Sequence, residues 1–298
     1  MFLHRLLGPI VVLALLSLHA PSASAQLSEP AEDPASKYVA EGYRLVWADE
    51  FDQDGPPDPT KWTYERGFVR NEELQWYQED NARCENGLLV IEGRRERKPN
   101  PNHRPGGRDW RTSREHAEYT SSCLITKGLH EWKFGRFEMR AKIDTRPGLW
   151  PAWWMLGVRG RWPANGEIDI MEYYRGVLLA NAAWLAEPTA GGRGSVRWDD
   201  VKIPLEELGP PDWSDQFHVW RMDWDEESLE LSVDGRVLNT VDLRQAANPP
   251  GTVPERPFHQ PHYMLLNLAI GGQSGGDPSA TPFPAQLVVD YVRVYQKQ

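Results

Sequence analysis

From Gly42 onward the chain is cut every few residues by Gly, Pro, Asn or Asp, and the runs between the cuts alternate or stay apolar without helical spacing. Short runs of this kind are strands. The clearest span 88–92, 134–143, 167–174, 218–224, 229–233, 237–241, 264–270 and 287–295. Asp234-Gly235, between two alternating runs, is a two-residue hairpin signal. Many strands with no intervening helices predict an all-β sandwich or jelly roll and argue against βαβ units. No repeat or composition break follows residue 42, so 42–298 reads as one domain.

The start of the chain reads differently. Arg5 precedes an apolar stretch from Leu6 to Leu18, and Ala23-Ser24-Ala25 has the small-x-small form of a cleavage site. Residues 1–25 are therefore expected to be a signal peptide, since about 13 apolar residues are too few to span a bilayer. Residues 26–41, rich in Ser, Pro, Glu and Ala, read as a disordered linker. The expected product is secreted or periplasmic, with no membrane span. Export would permit a Cys84–Cys123 disulfide if their strands pair; two buried thiols is the other reading. A formal charge of −10 argues against a nucleic-acid partner. One segment departs from that acidity. Arg94, Arg95, Arg97, Lys98, Arg104, Arg108, Arg111 and Arg114 crowd into 93–117, either as a solvated loop or as a basic rim for an anionic polymer.

The chemistry concentrates in Gly166-Glu167-Ile168-Asp169-Ile170-Met171-Glu172. Strand alternation places Glu167 and Asp169 on one face and Glu172 on the other. One extra residue near Ile170-Met171, a β-bulge, would return Glu172 to the face of the other two. Crowded carboxylates raise one another's pKa, so at least one holds a proton near neutral pH. A carboxylate beside a carboxylic acid suits glycoside hydrolysis; a solvent-facing acidic strand and a cation site are the plainer readings. The Glu Cα atoms would lie roughly 13 Å apart, close enough for long side chains to converge. Of 14 Trp in the chain, four (Trp150, Trp153, Trp154 and Trp162) fall just before these acids. Aromatic faces stack on sugar rings, and alternation sends roughly half of such residues to the core. Trp150, Trp154 and Trp162 are expected in the groove.

The acidic strand resembles the bulged active-site signature of glycoside hydrolase family 16. Similar segments run in family order from about 43 to 296, among them Asn71-Glu72-Glu73-Leu74-Gln75-Trp76-Tyr77, Leu266-Asn267-Leu268-Ala269-Ile270-Gly271-Gly272 and Val289-Asp290-Tyr291-Val292-Arg293-Val294-Tyr295. The resemblance implies a concanavalin A-like β-jelly-roll sandwich with a concave cleft. It also implies a monomeric, retaining endo-hydrolase of β-linked polysaccharide that needs no cofactor. It assigns Glu167 as nucleophile, Glu172 as acid/base and Asp169 as assistant, roles that spacing alone leaves open. Asn71, Glu118, Trp162 and Asn267 match sugar-contacting positions of the family. A structural calcium held by Asp290 and backbone oxygens near Glu50 and Gly87 is a further implication.

The bulged signature, together with the Trp150-Pro151-Ala152 segment, resembles laminarinase-type members that cut β-1,3- or mixed β-1,3/1,4-glucans. Where those carry a Gly-Thr-Val-His-like strand, this chain reads Leu179-Ala180-Asn181-Ala182-Ala183-Trp184, which offers Trp184 and Asn181 to the cleft instead. That departure and the basic segment keep a galactan such as agar or carrageenan open as substrate. A non-catalytic lectin on the same sandwich is the alternative of another class. Retention of all three acids argues against it.

Overall fold

The computed structural model describes residues 39, 41–187 and 195–298; the expected signal peptide and nearly all of the expected linker lie outside them. Among the described residues twenty strands, numbered in chain order, make two large sheets and two small ones. One eight-stranded sheet runs β18 (Arg236–Asp242), β17 (Ser228–Val233), β16 (His218–Trp224), β10 (Gly135–Lys142), β20 (Ala285–Lys297), β5 (Leu88–Gly93) and β4 (Ala82–Glu85), with β1 (Tyr43–Asp49) also on β20. The other runs β14 (Val196–Asp199), β13 (Val177–Leu185), β12 (Glu167–Tyr174), β11 (Leu149–Gly157), β19 (His262–Ile270), β9 (Cys123–Ile125) and β2 (Thr63–Tyr64), with β15 (Lys202–Pro204) also on β13. Every pairing in these two sheets is antiparallel. The small sheets pair β3 (Gln75–Tyr77) with β8 (Tyr119–Ser121), in parallel, and β6 (Lys98–Pro99) with β7 (His116–Ala117).

Side-chain alternation explains the layering. In β16, His218, Trp220, Met222 and Trp224 are buried while the residues between them are half-exposed. Trp220, Met222 and Trp224 meet Trp153 and Met155 of β11 and Ile168, Ile170 and Met171 of β12 in one apolar core. Each fully buried large side chain there contributes roughly 1.5–3 kcal/mol. Strands β11 and β19 are buried on both faces, because one face meets the core and the other floors a cleft. The expected hairpin forms between β17 and β18, with Asp234 and Gly235 at φ of 49° and 78°. Positive φ at both central residues is what a type I′ turn requires.

The possible disulfide is corrected. Cys84 pairs with Leu89 in one sheet and Cys123 with Asn267 in the other, so their strands are not neighbours. Both are buried free thiols.

Candidate active site

The bulge lies where the spacing of the acids calls for it. Across β11, Trp154 faces Asp169 and Trp153 faces Met171, leaving Ile170 without a partner. Across β13, Asn181 faces Asp169 and Leu179 faces Glu172, so two residues of β12 oppose one. Ile168, Ile170, Met171 and Tyr173 consequently enter the core, while Glu167, Asp169, Glu172 and Tyr174 line a cleft of about 470 Å³. Gly166 introduces this strand at φ 78°, where a Cβ would sit 3.0 Å from Cβ of Pro257. Only glycine adopts that backbone conformation cheaply.

Two indoles hold the outer acids. Trp162 Nε1 donates to Glu167 Oε2 at 2.6 Å, and Trp150 Nε1 donates to Glu172 Oε1 at 2.7 Å. A third, Trp154 Nε1, donates to Asn267 Oδ1 at 2.8 Å, while Asn267 donates to the Tyr77 hydroxyl at 3.1 Å. Trp150 and Trp154 share a face of β11, and the intervening Trp153 is fully buried in the core. Trp162 remains half-exposed at the mouth of the cleft.

Burial dominates the electrostatics of the acids. It raises Glu167 to about 6, against the opposing effects of the Trp162 bond, the Arg70 charge and Asp169. Glu172 rises to about 7, because burial outweighs the Trp150 bond and the charges of Glu167 and Glu73 add to it. Asp169 rises well above the usual carboxylate range, through burial first and then through the Glu on either side. Its Oδ2 is buried without a well-formed partner, so a proton held there can be directed at Glu167. Unequal acidity between two carboxyl groups is the condition for one to act as base or nucleophile while the other donates a proton.

Asn71 and Asn267 join the three Trp residues along this cleft. Two expected contacts do not. Glu118 is exposed and paired with Arg97 at 3.4 Å, outside the lining. Trp184 is only 4% exposed and packs edge-on against Phe258 in the core. The register explains why: Asn181 and Ala183 stand opposite Asp169 and Glu167, so Trp184 turns the other way. Sequence reasoning missed Arg70, Glu73 and Trp198. Arg70 pairs with Glu65 and lies over the Trp154 ring at 4.9 Å. Glu73, buried and raised in pKa by that burial, is held by Gln75 Nε2 at 2.6 Å. Trp198, on edge strand β14, is 43% exposed. Trp198 could have been found as the aromatic of a short strand beside the acids; Arg70 and Glu73 lie in a loop with no periodicity to expose them.

The expected calcium set is the Asp290 carboxylate with backbone oxygens near Glu50 and Gly87. Arg293 grips both oxygens of Glu50, at 2.8 and 2.9 Å, and Arg140 pairs with Asp290. Gly87 lies in the turn between β4 and β5. Among the described residues no three His, Cys, Asp or Glu gather as a metal site.

A family model for Glycosyl hydrolases family 16 matches residues 75–293. The β-glucanase of Rhodothermus marinus is 37% identical over 267 residues, covering 85% of this chain and 85% of that protein. The catalytic domain of an endo-1,3-β-glucanase (laminarinase) from Thermotoga petrophila is similar with a TM-score of 0.68 and 33% identity, covering 86% of this chain and 98% of that one. A solved structure from work on endo-acting O-glycanases, expressed by members of the human gut microbiota to initiate mucin breakdown, is similar with a TM-score of 0.75 and 34% identity, covering 86% and 92%.

Proposed function

Since the chain belongs to the glycosyl hydrolases of family 16, we propose that it is a retaining endo-glycosidase that cuts β-1,3- or mixed β-1,3/1,4-glucans by double displacement. The observation that carries this reading is the pair of buried carboxyl groups, each bonded to its own indole, on one wall of a single cleft. Glu167 attacks the anomeric carbon, and Glu172 gives its proton to the departing glycosidic oxygen. Trp150 occupies Oε1 of Glu172, which leaves Oε2 to carry that proton. Glu172, now ionised, takes a proton from water, and the hydroxide displaces Glu167 from the sugar. Asp169, protonated and buried between them, steadies Glu167 without adding a third charge. The carboxyl groups supply all of this chemistry, so no cofactor is needed. The N-terminal sequence adds that the enzyme acts outside the cytoplasm.

A second reading, a galactan such as agar or carrageenan, is favoured by the similarity to the keratan-sulfate endo-1,4-β-galactosidase of Sphingobacterium multivorum, 26% identical over 268 residues, and by the replaced strand at 179–184. Product analysis on laminarin, lichenan, agarose, carrageenan and mucin glycans separates the two. Oligosaccharides from laminarin or lichenan are expected, with turnover abolished in Glu167→Gln. Cleavage confined to the galactose-containing polymers would overturn the glucan assignment, and an active Glu167→Gln would overturn the nucleophile.

A further inference from the structure

We propose that Arg114, seconded by Arg111, is a positioning residue that braces one wall of the cleft. That wall is the loop 69–73, which contributes Arg70, Asn71 and Glu73 to the lining. Its backbone is unfavourable in isolation, since Asn71 and Glu72 are consecutive non-glycine residues at φ of 54° and 53°. Such a conformation persists only when its surroundings over-determine it. On one side, Leu74 N donates to Ile270 O at the end of β19 at 2.8 Å, and Gln273 N, in the short helix Gly272–Gly275 that follows, donates to Asn71 O at 2.9 Å. From the opposite side come the two arginines. The Arg114 guanidinium donates to the carbonyls of both Glu72, at 2.8 Å, and Glu73. Arg111 donates to the Val69 carbonyl through Nε at 3.1 Å and Nη2 at 2.9 Å.

The arm that delivers them is itself stitched down. Asn100 Nδ2 donates to the carbonyls of Arg111 and Arg114, at 2.8 Å each. Both guanidinium groups lie against the Trp110 ring, at 4.8 and 5.0 Å, and Arg114 also covers Phe68 at 5.0 Å. A planar fork of donors suits paired carbonyls, and aromatic faces fix its plane. The basic segment therefore aims two of its cations at the backbone of the cleft wall, where the sequence admitted a rim for an anionic polymer. Removing the fork frees the two left-handed residues to relax, and the wall of the sugar site moves with them.

The kinetic consequence rests on the proposed hydrolysis, whereas the brace can be read without it. Amide hydrogen exchange over 69–74 is expected to quicken at least about tenfold in Arg114→Ala, the scale of one lost charge-assisted hydrogen bond, with the strands of the cleft sheet unchanged. Exposed Arg108 supplies the control, and Arg108→Ala is expected to match the wild type. On the best soluble glucan, Arg114→Ala is expected to raise KM about tenfold while kcat and both limbs of the pH profile stay near wild-type values. Arg114→Lys, keeping one donor group, is expected to fall between them; if the alanine variant fails to fold, this comparison alone decides. Unchanged exchange at 69–74, exchange that rises equally through the cleft sheet, or an unmoved KM would overturn the brace. A wild type that cuts no glycan would instead overturn the hydrolase reading and leave exchange to judge the brace.

Discussion

Trp150 and Trp162 each place an indole N–H on one of the two outer carboxylates of the cleft, Glu172 and Glu167. A donor to a carboxylate favours its ionised form, so either bond holds its acid below the value that burial alone would set. The proposed mechanism needs Glu167 ionised to attack and Glu172 protonated to donate, which predicts a bell in kcat/KM between about 6 and about 7. The sign of each substitution follows. In Trp162→Phe the Glu167 pKa rises, and the acidic limb moves to higher pH and narrows the bell. In Trp150→Phe the Glu172 pKa rises, and the alkaline limb moves to higher pH and widens it. Each shift should be roughly one pH unit, the scale of a hydrogen bond to a charged group. Profiles of kcat/KM against pH read both; limbs that stay fixed, or move downward, would contradict the pairing.

Strand β12 was legible because its acids carry their own periodicity, and one misfit in that period called for a bulge. Strand β11 was not among the runs singled out, although Trp150 and Trp154 were expected in the groove and do line the cleft, with Trp153 buried in the core. Strand β13 was not legible. Leu-Leu-Ala-Asn-Ala-Ala-Trp has little polar alternation, so which face Trp184 takes is set by register against β12, a property of the pair and invisible in either strand alone. Trp184 and Trp198 now predict opposite phenotypes. Trp184→Ala should cost about 3–5 kcal/mol in denaturant unfolding, as a large side chain removed from a core does. Trp198→Ala should change stability little and raise KM about three- to tenfold, the scale of a lost aromatic contact. A destabilised Trp198→Ala with normal KM would reverse that assignment.

The whole molecule is a two-sheet sandwich whose apolar core stiffens the floor of the cleft, while a non-repetitive loop and a basic arm build one wall. Turn residues and alternating runs announced the sandwich. The wall could not be read in the same way, because its loop has no periodicity and its backbone carbonyls at Val69, Glu72 and Glu73 are met by Arg111 and Arg114 from about forty residues away. The thiols carry the same lesson, since only topology reveals that β4 and β9 belong to different sheets. What unites the scales is a single chemical claim, that Glu167 attacks the sugar and Glu172 serves it on both halves of the reaction. Proton NMR of the first products released from laminarin tests this most directly. Two inversions at one carbon predict that the new reducing end appears first as the β anomer and only then equilibrates. An α anomer appearing first would mean direct attack by water, and would contradict the account.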